Sequence, residues 1–350
     1  MRPLVSILLP CYNAEKHLAY ALESILSQDY NNLQIICIND GSTDSTLTIL
    51  KDYSTADTRI EILNLEENKG LITALNSGIE LVRGTYFARM DADDSCPADR
   101  IAVQVDYLEQ HPEFDLVSGG YHYFINNDKP LEYVPPVATR AAALKVISLF
   151  STPLNHAAVL GKSSLLKKSY FYDKHFPHSE DYELFSRLAL GGMPMANLER
   201  SLYWVRLNPE SVSIVHNETQ IDSHLRTTAR NIALLYADQI TFSNSILKLI
   251  SNRINLAVTI KEVQDALRLL DHYFNRANSN VSFTDGDRKQ IRQYYHLHKV
   301  NILIQSNKTN FKIYGAKNIS FFLNTLFFLK WSYAGIIGGK FILYIKYRLF

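Results

Sequence analysis

Four short apolar runs alternate with helical stretches over residues 4–90, and this order constrains the fold more than any other feature. Leu4 to Leu9 is apolar and closed by Pro10, the pattern of a buried strand. Ala14 to Ser27 carries Ala14, Leu18, Ala21, Leu22, Ile25 and Leu26 on one face, the spacing of an amphipathic helix. Further strands are expected at Gln34–Ile38, Arg59–Leu63 and Thr85–Met90, with helices at Thr46–Tyr53 and Thr73–Val82. Such alternation predicts an α/β fold with a mostly parallel central sheet flanked by helices. Right-handed crossovers put every strand C-terminus on one edge. The polar loops Pro10–Asn13, Asn39–Asp44 and Asp91–Asp94 then meet where open α/β sheets bind ligands.

After Pro97 the pattern loosens. Arg100–Gln110 and Ala141–Phe150 read as helices, and Leu116–Phe124, Asn155–Leu160 and Ser201–Arg206 as strands. Glu183–Ala189 is a helix that Gly191 and Gly192 end. From Thr219 helical periodicity dominates, in Arg230–Ile250, Val258–Tyr273 and a helix from Asp287. The expected organisation is an α/β catalytic domain over 1–218, a helical extension over 219–307, and a distinct segment over 308–350.

That last segment has no acidic residue and sets Lys312, Lys317, Lys330, Lys340, Lys346 and Arg348 among aromatic and aliphatic runs. Its longest uncharged run, Asn318–Leu329, is shorter than the roughly 20 residues of a membrane span. Basic and aromatic residues beside apolar stretches suit the membrane interface. A helix pair packed on the domain, its lysines snorkelling outward, and a re-entrant hairpin are the alternatives. No secretion signal opens the chain, so the expected location is cytoplasmic, peripheral on the inner face of the cell membrane.

Composition narrows the partners. Thirty-six basic and 35 acidic side chains leave a net charge of +1, which gives no electrostatic reason to expect nucleic acid. The three cysteines, Cys11, Cys37 and Cys96, lack the spacing of a disulfide scaffold or a metal site.

The chemistry lies at the strand ends. Asp91, Asp93 and Asp94 follow a mostly apolar strand, where clustered carboxylates call for a divalent cation or a firm set of donors. If the stretch is extended, positions 91 and 93 share one side, where one contacts a ribose or a metal-bound water and the other ligates the metal. Mn²⁺ or Mg²⁺ suits such oxygen ligands and completes its shell with substrate phosphates. An acidic surface loop is the plain alternative. Asp40, in Asn39-Asp40-Gly41-Ser42, is placed to accept from a base or ribose, or else forms the turn. Glu180-Asp181, before an apolar helix, supplies a base for an acceptor hydroxyl, or caps that helix. No G-x-G-x-x-G and no P-loop is present, so dinucleotide and P-loop NTPase sites are disfavoured.

These stretches resemble the inverting glycosyltransferases of family 2, which have a GT-A fold and include bacterial polysaccharide-biosynthesis enzymes. The matching segments are Val5 to Asn13, Ile38 to Asp44, Asn68-Lys69-Gly70, Ala74-Leu75-Asn76, Gly84 to Asp94 with Pro97, and Ser179 to Leu184. The resemblance spans about residues 3–215. It implies a metal-dependent inverting transfer from a UDP-sugar or similar donor to a glycan or lipid-linked acceptor. It implies that Pro10, Tyr12 and Asp40 bind uridine, and that Asp91 contacts ribose and the diphosphate side. It further implies that Asp93 ligates the metal, with Asp91 beside it, and that Asp181 is the general base supported by Glu180. Lys69 and Arg100 are expected as positive contacts to the nucleotide or the loop. Arg89 departs from the small or apolar residue usual before these carboxylates, and either pairs with them or turns into the core. A loop near His175–Ser179, or near His216, is placed to close over the donor. A nucleotidyltransferase making nucleotide sugars is the alternative, although no Gly-rich basic loop follows the first strand. A non-catalytic binder of sugar nucleotides is a third reading.

Overall fold

The computed structural model describes residues 2–125, 130–166, 171–207, 217–236, 242–254 and 257–314. The segment over 315–350, and with it most of the basic, aromatic stretch, lies outside the described residues, as does His216.

The first half alternates as the sequence predicts: β1 (Val5–Cys11), α1 (Leu18–Leu26), β2 (Leu33–Asp40), α2 (Thr46–Ala56), β3 (Ile60–Leu65), α3 (Leu71–Ile79) and β4 (Tyr86–Arg89). Next come α4 (Arg100–Gln110), β5 (Leu116–Phe124), β6 (Tyr133–Val134), α5 (Ala141–Ile147), β7 (Leu160–Lys162), α6 (Glu180–Leu190) and β8 (Met195–Arg206). One sheet runs β3-β2-β1-β4-β7-β5, and both β6 and β8 pair with β5. The first four strands are mutually parallel, β7 is antiparallel to both neighbours, and β8 is parallel to β5. The sheet is therefore mixed but mostly parallel.

Every residue of β2 is buried, as a central parallel strand covered on both faces requires. Helix α1 buries Leu18, Ala21, Leu22 and Ile25 in one cluster with Ile7 and Leu9 of β1. Each large aliphatic side chain so buried contributes about 2 kcal/mol. Gly78 of α3 lets the helix lie close to β2: a Cβ there would lie 2.6 Å from Ile38 Cδ1, and that side chain would have to shift.

Several boundaries differ from expectation for identifiable reasons. Helix α1 starts at Leu18, not Ala14: residues 15–17 form a turn, and the N–H groups of Ala14 and Glu15 tie it to Thr46 Oγ1 and the Asp44 carboxylate. Asn155–Leu160 is not a strand: the Asn155 side chain accepts the Ala157 N–H and starts a 3-10 turn at His156–Ala158. The helix expected over Arg230–Ile250 is two helices, α7 (Asn217–Tyr236) and α8 (Asn244–Ile250), the second capped by the Ser243 side chain. Helix α9 (Ile260–Asn278) opens with a capping box, Thr259 and Glu262. Helix α10 (Asp285–Tyr314) runs through position 308 without a break.

The chain divides into two compact units, Met1–Ser148 with Thr152–His224, and Leu149–Ser151 with Leu225 onward. The first holds the whole sheet. The second holds α8, α9 and α10, most of α7, and a core that includes Leu270, Tyr273, Phe274 and Ile302. No helix of the described residues is long and apolar enough to cross a membrane.

Candidate functional site

The loops after β1 and β2 are stitched together residue by residue. Asn13 Oδ1 accepts the Thr43 N–H, and Ser42 Oγ accepts the Asn13 N–H. Glu15 accepts from Ser45 N–H while Asp44 accepts from Glu15 and Thr46. Burial opposes ionisation of Asp44, but the hydrogen bonds from Thr46 and Glu15 outweigh it and hold that carboxyl below its usual range. Asn13 and Gly41 both take positive φ, 46° and 63°. A Cβ on Gly41 would lie 2.2 Å from the Glu67 carbonyl carbon, so the turn admits only glycine. Tyr12, beside this stitch, is 50% exposed, an unusual level for a ring at the end of a buried strand.

Asp40 closes the same edge. Its two oxygens accept the N–H groups of Lys69 and Gly70 at 2.8 and 2.9 Å, and the side chain is buried. It thus pins the turn that enters α3, with lone pairs still open on each oxygen. Lys69 is held through its backbone, while its ammonium lies at the surface 4.0 Å from Glu67. Strand register puts β2 and β4 on either side of β1, two strand spacings or about 10 Å apart across the sheet.

The acidic segment after β4 is a turn, not the extended stretch that would set 91 and 93 on one side. The Asp94 N–H reaches back to the Asp91 carbonyl. Strand β8 crosses this turn and clamps it. Ser95 and Trp204 exchange backbone hydrogen bonds of 3.1 and 2.8 Å. Arg206 gives its backbone N–H to Asp94 at 2.7 Å and its Nε to the Asp93 carbonyl at 2.6 Å. The Tyr203 hydroxyl accepts the Asp91 N–H and bonds the Asp94 carboxylate.

The three aspartates therefore have three environments. Asp94 faces the interior, where burial and its two acidic neighbours push its carboxyl well above the usual range. Asp91 is a third exposed and held by the guanidinium of Arg89, which reaches both of its oxygens. Asp93 is partly buried, and burial followed by the charge of Asp91 raises it to about 6.

The N-terminus of α6 completes the cluster. It opens with Glu180, Asp181 and Glu183 in its first turn. Glu180 is buried and raised to about 7, by burial first and then by Asp181, while Arg89 opposes the rise and Asp91 adds to it. Asp181 is more open, and one of its oxygens accepts the Tyr182 N–H. The loop before α6 is anchored by Asn76 of α3, which exchanges two hydrogen bonds with the Tyr172 backbone, at 2.9 and 3.0 Å. The Tyr172 hydroxyl in turn meets His156 Nε2 at 2.7 Å. Burial and the charge of Arg89 keep that imidazole neutral.

Carboxylates at the C-terminal edge of a parallel sheet, with two more on an incoming helix, are suited to accept from the hydroxyl groups of a ligand. The family model "Glycosyl transferase family 2" matches residues 6–173. An uncharacterized glycosyltransferase of Haemophilus influenzae is 32% identical over 238 residues, 66% of this chain and 73% of that protein. The chain belongs to glycosyltransferase family 2. A further relative, the amylovoran biosynthesis glycosyltransferase AmsE of Erwinia amylovora, is 30% identical over 66% of this chain and 86% of its own length. Among solved structures, residues 1–349 of S. aureus TarS in complex with UDP-GlcNAc superpose with a TM-score of 0.55 at 17% identity, covering 85% and 90% of the two chains. The mannosyltransferase PcManGT of Pyrobaculum calidifontis, in complex with GDP-Man and Mn²⁺, gives 0.54 at 16%, covering 88% of each. These two likenesses concern the fold. The protein is thus a glycosyltransferase, with a GT-A-like catalytic domain, that takes its sugar from a nucleotide-sugar donor.

One expected contact of this family 2 enzyme is corrected. Arg100 is 1% exposed. Its guanidinium bonds the carbonyls of Arg89 and Ala157 at 2.8 and 3.0 Å and Gln104 Oε1 at 3.1 Å, so it braces β4 and does not face a nucleotide. Sequence reasoning also missed Tyr203, Arg206, Tyr172 and His156. Each reaches the site from far along the chain, and no local spacing marks them. A recess of about 400 Å³ along α10, among Arg288, Lys289, Arg292 and His296, contains none of the expected site residues.

Proposed function

We propose that the protein is an inverting, metal-dependent glycosyltransferase that passes a sugar from a UDP-sugar or similar donor to a glycan or lipid-linked acceptor in surface polysaccharide synthesis. One observation carries this reading: the helix bearing Glu180 and Asp181 brings its first turn within electrostatic reach of Arg89 and Asp91 at the end of β4. Donor-side and acceptor-side carboxylates then share one edge.

The exposed ring of Tyr12 offers a stacking face for a base, with Pro10 and Asp40 beside it and Lys69 at the rim. Asp91 accepts from ribose hydroxyls. The donor set also suits a divalent cation. At Asp93, raised to about 6, the charges of Arg89 and Arg206 do not offset burial and the charge of Asp91, and such a cation would supply the rest. Among the described residues no group of three or more His, Cys, Asp or Glu is arranged for a metal. Mn²⁺ or Mg²⁺ would be held by Asp93, with Asp91 near, and by substrate phosphates. Bound there, it would stabilise charge on the departing diphosphate.

Asp181 takes the acceptor proton. It is open to solvent where Glu180 is not, so an incoming hydroxyl reaches it first. Glu180 supports it from behind. A single base opposite the leaving group gives inversion. AmsE is named for the synthesis of amylovoran, which supports a role in polymer assembly. The basic sequence over 308–350 supports a peripheral place at the cytoplasmic face of a membrane.

The test is a donor panel with purified protein and Mn²⁺, reading release of free nucleoside diphosphate. Asp181→Asn should bind donor normally and lose roughly 10²–10⁴-fold in kcat, as expected for a general base. Pyrophosphate as the product would establish nucleotidyl transfer instead. Normal turnover by D181N would remove the base.

A further inference from the structure

Arg89 is the only charged residue of β4 and is 4% exposed. Both terminal nitrogens serve Asp91, one at 2.9 Å to Oδ2 and the other to Oδ1. Its Nε has no partner among the described residues. A desolvated guanidinium is costly by itself. Here the surrounding negative groups, Asp91 first, more than offset burial and hold it charged. Its field also reaches Glu180, Asp93 and His156.

A forked pair does two things to a carboxylate. It fixes the direction of the group, and it occupies one lone-pair site on each oxygen. Asp91 can still accept from hydroxyl groups, but its charge is already matched. Among the described residues the Asp93 carboxylate has no such cation fork: its own backbone N–H bonds it, and Arg89 and Arg206 act on it through their charge. The two aspartates are two residues apart and electrically unlike.

We propose that Arg89 divides the labour of the donor site: its fork withdraws Asp91 from cation binding and holds it as an acceptor for nucleotide hydroxyls, leaving Asp93 to the cation. This rests on the nucleotide-sugar reading above. Arg89 touches no reacting atom and acts through Asp91, so it is a positioning residue.

The test measures two affinities on the full chain: Mn²⁺ alone, by electron paramagnetic resonance, and UDP in EDTA, by calorimetry. Arg89→Met frees Asp91. Mn²⁺ should then bind about tenfold more tightly, since a nearby cation is gone and a carboxylate gained. UDP should bind about tenfold more weakly, through loss of an oriented charged acceptor. The double variant R89M/D91N should return Mn²⁺ affinity to the wild-type value. Arg89→Lys keeps the charge without the fork, so Mn²⁺ affinity should rise by less than in R89M while UDP affinity falls. Variants that bind both probes as the wild type does, or that lose both in parallel as a merely structural arginine would, overturn the proposal. Should R89M fail to fold, R89K decides on the same two readings. A wild-type protein that binds neither probe sinks the nucleotide-sugar reading, and this inference with it.

Discussion

Glu180 makes the site costly to fold, and the cost can be measured. Its carboxyl sits near 7 in the folded protein, against an ordinary value of 4.5. Burial is the main cause, with Asp181 next. A raised carboxyl means that the native state binds the proton more tightly than the unfolded chain does. Stability therefore falls as pH rises from about 4.5 to about 7, and stays lowered above that. At 1.36 kcal/mol for each tenfold in proton affinity, the interval from 4.5 to about 7 amounts to roughly 3 kcal/mol. Glu180→Gln has nearly the same shape and never ionises. The variant should be more stable than the wild type by up to roughly 3 kcal/mol at pH 8, with the difference vanishing near pH 4. Urea unfolding of the first unit at both pH values, in EDTA and without nucleotide, reads this directly. Activity should fall in the same variant, since the carboxylate behind Asp181 is lost: a trade of function for stability. An equal stability difference at both pH values, or none at pH 8, would refute the assignment of a buried carboxyl that Arg89 compensates only in part.

Other perturbations test other parts. Asp40→Asn removes charge from a group that accepts two backbone N–H bonds. It should cost about 3 kcal/mol, seen as a lowered Tm, and an unchanged melt would show that the turn needs no such pin. Arg100→Met strands the carbonyls of Arg89 and Ala157 and should destabilise by about 1–3 kcal/mol for each; a loss of nucleotide affinity without loss of stability would restore the expected contact role. Tyr203→Phe deletes the hydroxyl between Asp91 N–H and Asp94 and should cost about 1–3 kcal/mol, measured by chemical denaturation, with wild-type stability speaking against the clamp. Removing residues 315–350 should abolish sedimentation with anionic vesicles; persistent binding would place the membrane contact elsewhere.

Local pattern determined much of this protein. Hydrophobic runs in β1 and β2 and the helical face of α1 fix the parallel half of the sheet, because burial on both faces leaves few other arrangements. The turn residues Asn39 to Asp44 and the run Asp91 to Asp94 mark the working edge, since chain direction alone puts strand ends together. The Asn155 segment misled because a side-chain cap, invisible to periodicity, turned it into a 3-10 turn. Arg100 misled because a positive charge near the site is equally suited to bracing carbonyls, and only the interior shows which.

What sequence spacing left open, the tertiary structure decided. The three aspartates after β4 are chemically alike on paper. They differ because β8, more than 100 residues away, covers Asp94, and because Arg89 turns toward Asp91 and not into the core. Charge state depends on burial and on neighbours in space, and neither is encoded by distance along the chain.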